Sequence, residues 1–127
     1  MNYLQELNGT ELAHIFSALA GETRIRLLQL LRAKTLGCSD PALCDLAERC
    51  CNVSELAGAL DLALSTVSYH LRELRLVGLI QTQRRGKHVY CSINEAITDH
   101  LAQFFIQLGQ DVQRKMEVNE NDRSISQ

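Results

Sequence analysis

Four cysteines fall within fourteen residues, at Cys38, Cys44, Cys50 and Cys51. Thiolates are soft ligands. They select soft ions such as zinc, copper(I) and cadmium, and by the same logic trivalent arsenic or antimony. In a reducing compartment such cysteines are thiols or ligands before they are structural disulfides. Spacing limits which of them can meet. On a single helix from Pro41 to Cys50, Cys44 and Cys51 lie two turns apart, roughly 10 Å along the axis. That is too far to share one ion. A helix ending near Arg49, with the chain folding back, brings Cys50 and Cys51 to Cys44. We therefore expect a trigonal thiolate site from Cys44, Cys50 and Cys51, with Cys38 as the next candidate. The ion is expected as a ligand, not as a requirement for folding. The alternative makes Cys50 a core residue and the others incidental. Cys91 stands apart in VYCSI and reads as an ordinary small strand residue.

A second chemistry comes from hydroxyls and cations. Ser65, Thr66, Ser68, Tyr69, Arg72 and Arg75 fall on the outer side of a helix whose inner side is expected to be Val67, Leu71 and Leu74, with Leu64 beside them. Small hydroxyls near a helix start offer donors, acceptors and a methyl group to base edges, and arginines further along suit phosphates. Arg84, Arg85 and Lys87 follow around Gly86. From Leu62 to His88 five cations face one carboxylate, a net of +4, whereas the whole chain carries −2, so the remainder carries −6. One basic face on an acidic body is the electrostatic footprint of a nucleic-acid binder. The competing reading is an ordinary solvated face.

The elements that must position these groups follow from periodicity and caps. The 127 residues, 46% of them apolar, suit one domain with a modest core. Residues 1–9 read as a flexible lead-in. Thr10 is a candidate N-cap for a helix with Leu12, Ile15, Phe16 and Leu19 on one stripe. Gly21 breaks it. A second, very apolar helix starts near Glu22, with Ile25, Leu28 and Leu31 along one side and Leu27 and Leu30 flanking. Arg24 and Arg26 read as exposed or paired. Residues 34–51 form the cysteine-rich insert, with Pro41 in the first turn of a short helix. Residues 52–77 read as a helix-turn-helix. Asn52 and Glu55 match a capping box, Val53, Leu56, Ala57 and Leu60 face inward, and Ser65 caps the second helix. Residues 79–93 read as a β-hairpin, with strands Leu79–Gln83 and Val89–Ile93 and three cations in the connection. Behind a helix-turn-helix such a hairpin is a wing. Residues 94–115 form a last helix, capped by Asn94, with Ile97, Leu101, Phe104, Phe105, Leu108 and Val112 on a long stripe. Residues 117–127 are polar and aperiodic, so a flexible tail is expected. Residues 10–116 then make one winged helix-turn-helix domain, mainly α with a small β-hairpin wing. We expect it to dimerise through its first and last helices, so that two readers face a palindromic site.

No apolar run approaches the roughly 20 residues needed to span a bilayer. The start, MNYLQELNGTE, lacks the regions of a secretory signal. A cytoplasmic protein without membrane partners is expected. No phosphate-cradling glycine loop, paired carboxylates or nucleophile with a base stands out, so no enzyme is expected.

Phe16-Ser17-Ala18-Leu19-Ala20-Gly21-Glu22-Thr23-Arg24-Ile25-Arg26-Leu27-Leu28 resembles a signature of the ArsR/SmtB family of bacterial winged-helix repressors. Ser65-Thr66-Val67-Ser68-Tyr69-His70-Leu71-Arg72-Glu73-Leu74 looks like that family's recognition helix. Gly78-Leu79-Ile80 and Arg84-Arg85-Gly86-Lys87-His88-Val89-Tyr90 look like its helix exit and wing. The likeness spans about residues 12 to 110. It implies a homodimer that represses a promoter and leaves double-stranded DNA when an inducer binds. Two family ligand patterns are missing. Asn52, Ser54 and Ala57 occupy the places of the cysteines in the first reader helix of arsenite sensors. Asp99 and His100 are adjacent where a zinc-type site needs Asp-x-His, and no histidine follows.

The combined expectation is a homodimeric repressor released by a thiol-binding inducer, arsenite, antimonite or a soft divalent metal. Thr66, Ser68, Tyr69 and Arg72, with Ser65, read or fix register, while Arg84, Arg85 and Lys87 grip the backbone. His88 is expected to add a contact to that grip. Two alternatives stand beside it. One is a repressor that senses oxidants or sulfur species through its thiols. The other is a metal-binding protein that does not bind DNA.

Overall fold

The computed structural model describes residues 7–36 and 51–125. Cys38, Cys44 and Cys50, and the helix expected from Pro41, lie outside the described residues. The elements are α1 (Gly9–Ala18), α2 (Glu22–Leu36), β1 (Cys51–Asn52), α3 (Val53–Leu60), α4 (Leu64–Leu76), β2 (Ile80–Arg85), β3 (His88–Ile93) and α5 (Glu95–Ile125). They fall into two units, one ending at Glu95 and one beginning at Ala96.

Local chemistry sets the helix starts. Asn8, not Thr10, caps α1. Its side chain accepts from Glu11 N at 2.8 Å, and the Glu11 carboxylate accepts from Asn8 N at 3.0 Å. A reciprocal box satisfies two end donors, which a threonine inside the first turn cannot match. Asn52 caps α3 as expected, accepting from Glu55 N at 2.8 Å. Glu55 also lies 3.9 Å from Lys34 Nζ, a partly exposed pair of small weight.

Two helices end in the same way. Asp61 takes a left-handed conformation, φ 54°, and Leu62 N–H donates to the Ala57 carbonyl at 3.1 Å. At the end of α4, Gly78 has φ 83° and Leu79 N–H donates to the Leu74 carbonyl at 3.1 Å. Both are Schellman closures, which satisfy the last carbonyls and turn the chain sharply.

The core of the first unit is built from Ile15 and Ala18 of α1, Leu27 and Leu31 of α2, Leu56 and Ala57 of α3, and Val67, Leu71 and Leu74 of α4. Leu79, Ile80, Cys51 and Cys91 complete it from the sheet side. On α2 the stripe is Leu27 and Leu31, one turn apart, and Ile25 is exposed instead of inward. Two positions advance roughly 200° around a helix, so Ile25 and Leu27 cannot share a face.

The sheet has three antiparallel strands in the order β1-β3-β2. In the hairpin Ile80 pairs with Ile93, Thr82 with Cys91, and Arg85 with His88. Arg84 and Arg85 are therefore strand residues, and only Gly86 and Lys87 make the turn. Gly86 has φ 60°. A positive φ at the first of two turn residues suits the right-handed twist of the strands and favours glycine. The strand β1, pairing Cys51 with Cys91 and Asn52 with Tyr90, was not expected from the sequence.

The second unit is one helix. It runs to Ile125, through the stretch expected as a tail. Extending an existing helix adds one hydrogen bond for each residue fixed, so a polar sequence does not by itself stop it. No helix of the described residues is long and apolar enough to cross a membrane.

Candidate nucleic-acid interface

Three elements shape the candidate surface: α3, α4 and the β2–β3 hairpin. Helix α4 is anchored by Val67, Leu71 and Leu74, all nearly inaccessible. That stripe turns the rest of the helix outward. Ser65, Thr66, Ser68, Tyr69, Arg72 and Arg75 are all exposed, as the periodicity requires. Two details of this helix differ from expectation. Its N-cap is Ala63, without a side-chain cap bond, and Ser65 lies inside the first turn. Leu64 is exposed rather than inward. The first-turn N–H groups of α4 thus lack a serine cap and stand beside two exposed hydroxyls, an arrangement open to an anion.

Helix α4 and the wing face each other across a groove of about 330 Å³. Ser68, Arg72 and Arg75 line it from the helix, and Thr82 and Arg84 from β2. Val53, Leu71, Val89 and Cys91 complete the lining. Three guanidinium groups share this groove and, among the described residues, no carboxylate lines it. Guanidinium forks match phosphate oxygens bidentately, so the groove is suited to a phosphodiester backbone. Strand alternation explains how the wing divides its charges. Ile80, Thr82 and Arg84 point to one face, and Arg85 points to the other. Arg85 and Lys87 are exposed at and beside the hairpin tip, outside the groove. Ser65, Thr66 and Tyr69 also lie outside it. The expected contact residues therefore form two sets, one within the groove and one around it.

One residue outside the expected site holds it in place. Arg24 of α2 is half-buried, and its Nε donates to His70 Nδ1 at 3.1 Å. Its Nη1 donates to the Ala18 carbonyl at the end of α1, at 3.3 Å. Its guanidinium carbon lies 5.8 Å from the Tyr69 ring centre, within cation–π range. Arg24 thus ties α1, α2 and the middle of α4 together and sets the ground on which Tyr69 stands. Tyr69 and His70 also meet edge-on, with ring centres 5.2 Å apart. The sequence marks Arg24 as exposed or paired and as a member of a motif; nothing in its spacing gives the partner 46 residues away.

Of the thiol candidates, only Cys51 is among the described residues. It is buried in β1, immediately ahead of the Asn52 cap of α3, and opposite Cys91. Among the described residues no group of three or more histidine, cysteine or acidic side chains could hold a metal ion. The described part of the chain offers two thiols, and a third thiolate must come from elsewhere.

Residues 42–82 match the family model of bacterial regulatory proteins of the arsR family. An HTH-type transcriptional regulator of Bacillus subtilis, YbzH, is 31% identical over 90 residues, covering 71% of this chain and 90% of that one. The chain belongs to the ArsR family. A second relative of this ArsR-family chain is a homolog of the cadmium resistance transcriptional regulatory protein CadC from Staphylococcus aureus, 27% identical over 92 residues. That match covers 72% of this chain but only 64% of the relative's length. Among solved structures, the homodimeric winged helix-turn-helix DNA-binding domain of a possible ArsR-family regulator from Mycobacterium bovis superposes with a TM-score of 0.55. It is 27% identical, and the match covers 80% of each chain. The fold of the ArsR-family chain is accordingly a winged helix-turn-helix, mainly helical, with α3 and α4 as the two helices and β2–β3 as the wing.

Proposed function

We propose that the chain is a homodimeric, DNA-binding transcriptional repressor that leaves its operator when a thiol-binding inducer attaches. The observation that carries the DNA reading is the groove between α4 and the wing, with Arg72, Arg75 and Arg84 on its walls and exposed hydroxyls on the same helix. Helix α4 enters the major groove with Ser65, Thr66, Ser68 and Tyr69 toward base edges. Arg72 and Arg84 take phosphates, and Arg85 and Lys87 extend the grip along the backbone. The dimer is supported by the apolar stripe of α5, where Phe105, Leu108, Val112 and Met116 are exposed at three- and four-residue spacing. The Mycobacterium bovis relative is itself described as homodimeric. A two-fold pair of readers fits a palindromic operator.

For the inducer we propose trivalent arsenic or antimony, or a soft divalent metal, held by thiolates of Cys44, Cys50 and Cys51 with Cys38 in reserve. The chemistry of the donors supports this, and the Staphylococcus aureus relative is named for cadmium resistance. Cys51 leads directly into α3, so a ligand that shifts it tilts the first reader helix. A coupling of roughly 1–3 kcal/mol between the two sites suffices for a several-fold loss of DNA affinity. A mobility-shift titration tests it. Arsenite or cadmium should release the unaltered protein from a bound operator fragment, and Cys50→Ser/Cys51→Ser protein should stay bound. Release of the double variant at the same dose rejects the site.

A further inference from the structure

The sheet places together two thiols that the sequence holds forty positions apart. Cys51 of β1 is the direct antiparallel partner of Cys91 in β3. Directly opposed residues put their side chains on the same face of the sheet, with Cα atoms roughly 4.5–5.5 Å apart. Disulfides use Cα separations of roughly 4.4–6.8 Å. Both residues are thiols here, outside any disulfide, and both are buried. Thiols sealed in an apolar core are inert, while reactive ones sit near cations with a path to solvent. Neither thiol is open to solvent at rest, Cys51 being 7% and Cys91 0% exposed, but Cys91 stands against a groove wall. It forms part of the lining of the groove that also carries Arg72, Arg75 and Arg84.

We propose that Cys51 and Cys91 form a reversible cross-strand disulfide when a peroxide-class oxidant enters that groove. One thiolate attacks a peroxide oxygen. The O–O bond breaks, giving a sulfenic acid, and the released hydroxide takes up a proton as water. The partner thiol then displaces a second water as the S–S bond forms. Two S–H bonds are lost, the two sulfurs give up two electrons, and peroxide leaves as two waters. The bond ties the residue just ahead of the Asn52 cap to the middle of the wing. Closing it draws the Cβ atoms from roughly 4.5–5.5 Å toward roughly 3.8 Å, so α3 and the wing must adjust together. The consequence for DNA rests on the reading given above. A backbone seated on Ser68, Arg72 and Arg84 covers the groove, so bound DNA shields the pair and the closed pair binds DNA less well.

The test uses the full chain with Cys38→Ser, Cys44→Ser and Cys50→Ser, which leaves only these two thiols. After hydrogen peroxide the protein should lose both thiols and become lighter by two hydrogen atoms. Trypsin should then release fragments 50–72 and 88–114 joined, and dithiothreitol should separate them. Two thiols still open to alkylation after denaturation, or a bond joining two chains, overturns the proposal. The unaltered protein digested in the same way guards against misfolding of the triple variant. There too Cys91 must appear in a bond with Cys51, and a map that leaves Cys91 as a thiol overturns the proposal. Failure of DNA binding leaves the cross-link result untouched, whereas a missing cross-link leaves DNA reading intact. With DNA present, the loss of thiols should slow in protein that binds DNA, and an unchanged rate rejects the shielding.

Discussion

Helices α4 and α5 carry the same kind of amphipathic pattern and meet opposite surroundings. In α4 the apolar stripe is spent inside the unit: Val67 and Leu74 are 0% exposed and Leu71 is 4% exposed. In α5 Phe105, Leu108, Val112 and Met116 remain between 48% and 60% exposed. Large exposed apolar residues in a row mark a surface that another molecule covers. The first helix therefore uses its stripe to fix the direction of a polar face, and the second leaves its stripe exposed, open to the assembly proposed above. The same periodicity serves two purposes, and only the placement of the remaining elements separates them.

That contrast can be broken from either end. The largest effect is expected from Leu74→Ala, which opens a cavity under α4 and costs roughly 2–5 kcal/mol. Denaturant melts should show the loss at every protein concentration. Next, Phe105→Asp/Leu108→Asp should leave the melt of the first unit intact and convert dimer to monomer in sedimentation. A double variant that stays dimeric moves the interface off α5. Arg24→Ala comes third. It removes the bonds to His70 and Ala18 and the cation beside Tyr69, each charge-assisted bond being worth roughly 1.5–3 kcal/mol before screening at this half-buried site. DNA affinity should fall by more than the melting temperature suggests, because the damage lies behind the reading face. Arg24→Lys should restore the fold better than the affinity, since an ammonium lacks the planar fork. The smallest effect belongs to Asn52→Ala, about 1 kcal/mol from one lost cap.

Much of this was legible in the sequence, and the misses share a cause. The caps at Asn52 and Gly78, the start of α2 at Glu22 and the inward stripe of α4 follow from residues within one or two turns of each other. Asn8 and Thr10 are both good cap types, and only Asn8 has Glu11 at the reciprocal spacing. Side-chain type favours Ser65 over Ala63 as a cap, although α4 begins without a side-chain cap bond. The charge of the wing arginines resembles a loop tip, whereas the register puts Arg84 and Arg85 in β2. What could not be read was non-local. A two-residue strand has no periodicity, so β1 and the Cys51–Cys91 pairing were invisible, as was the bond from Arg24 to His70. Cys91 was set aside as a plain strand residue for that reason, whereas it pairs with one of the expected ligands.

On the proposed function, two α4 helices, carried by a dimer, read DNA together. Selection from a library of random duplexes tests it most directly, because it presumes no promoter. An inverted repeat whose half-sites are centred about one helical turn of DNA, or a multiple of it, apart should be enriched. Affinity should fall steeply with salt, with the slope reduced by roughly one in Arg84→Ala. No enrichment, or binding to a single half-site that does not weaken with salt, would contradict it.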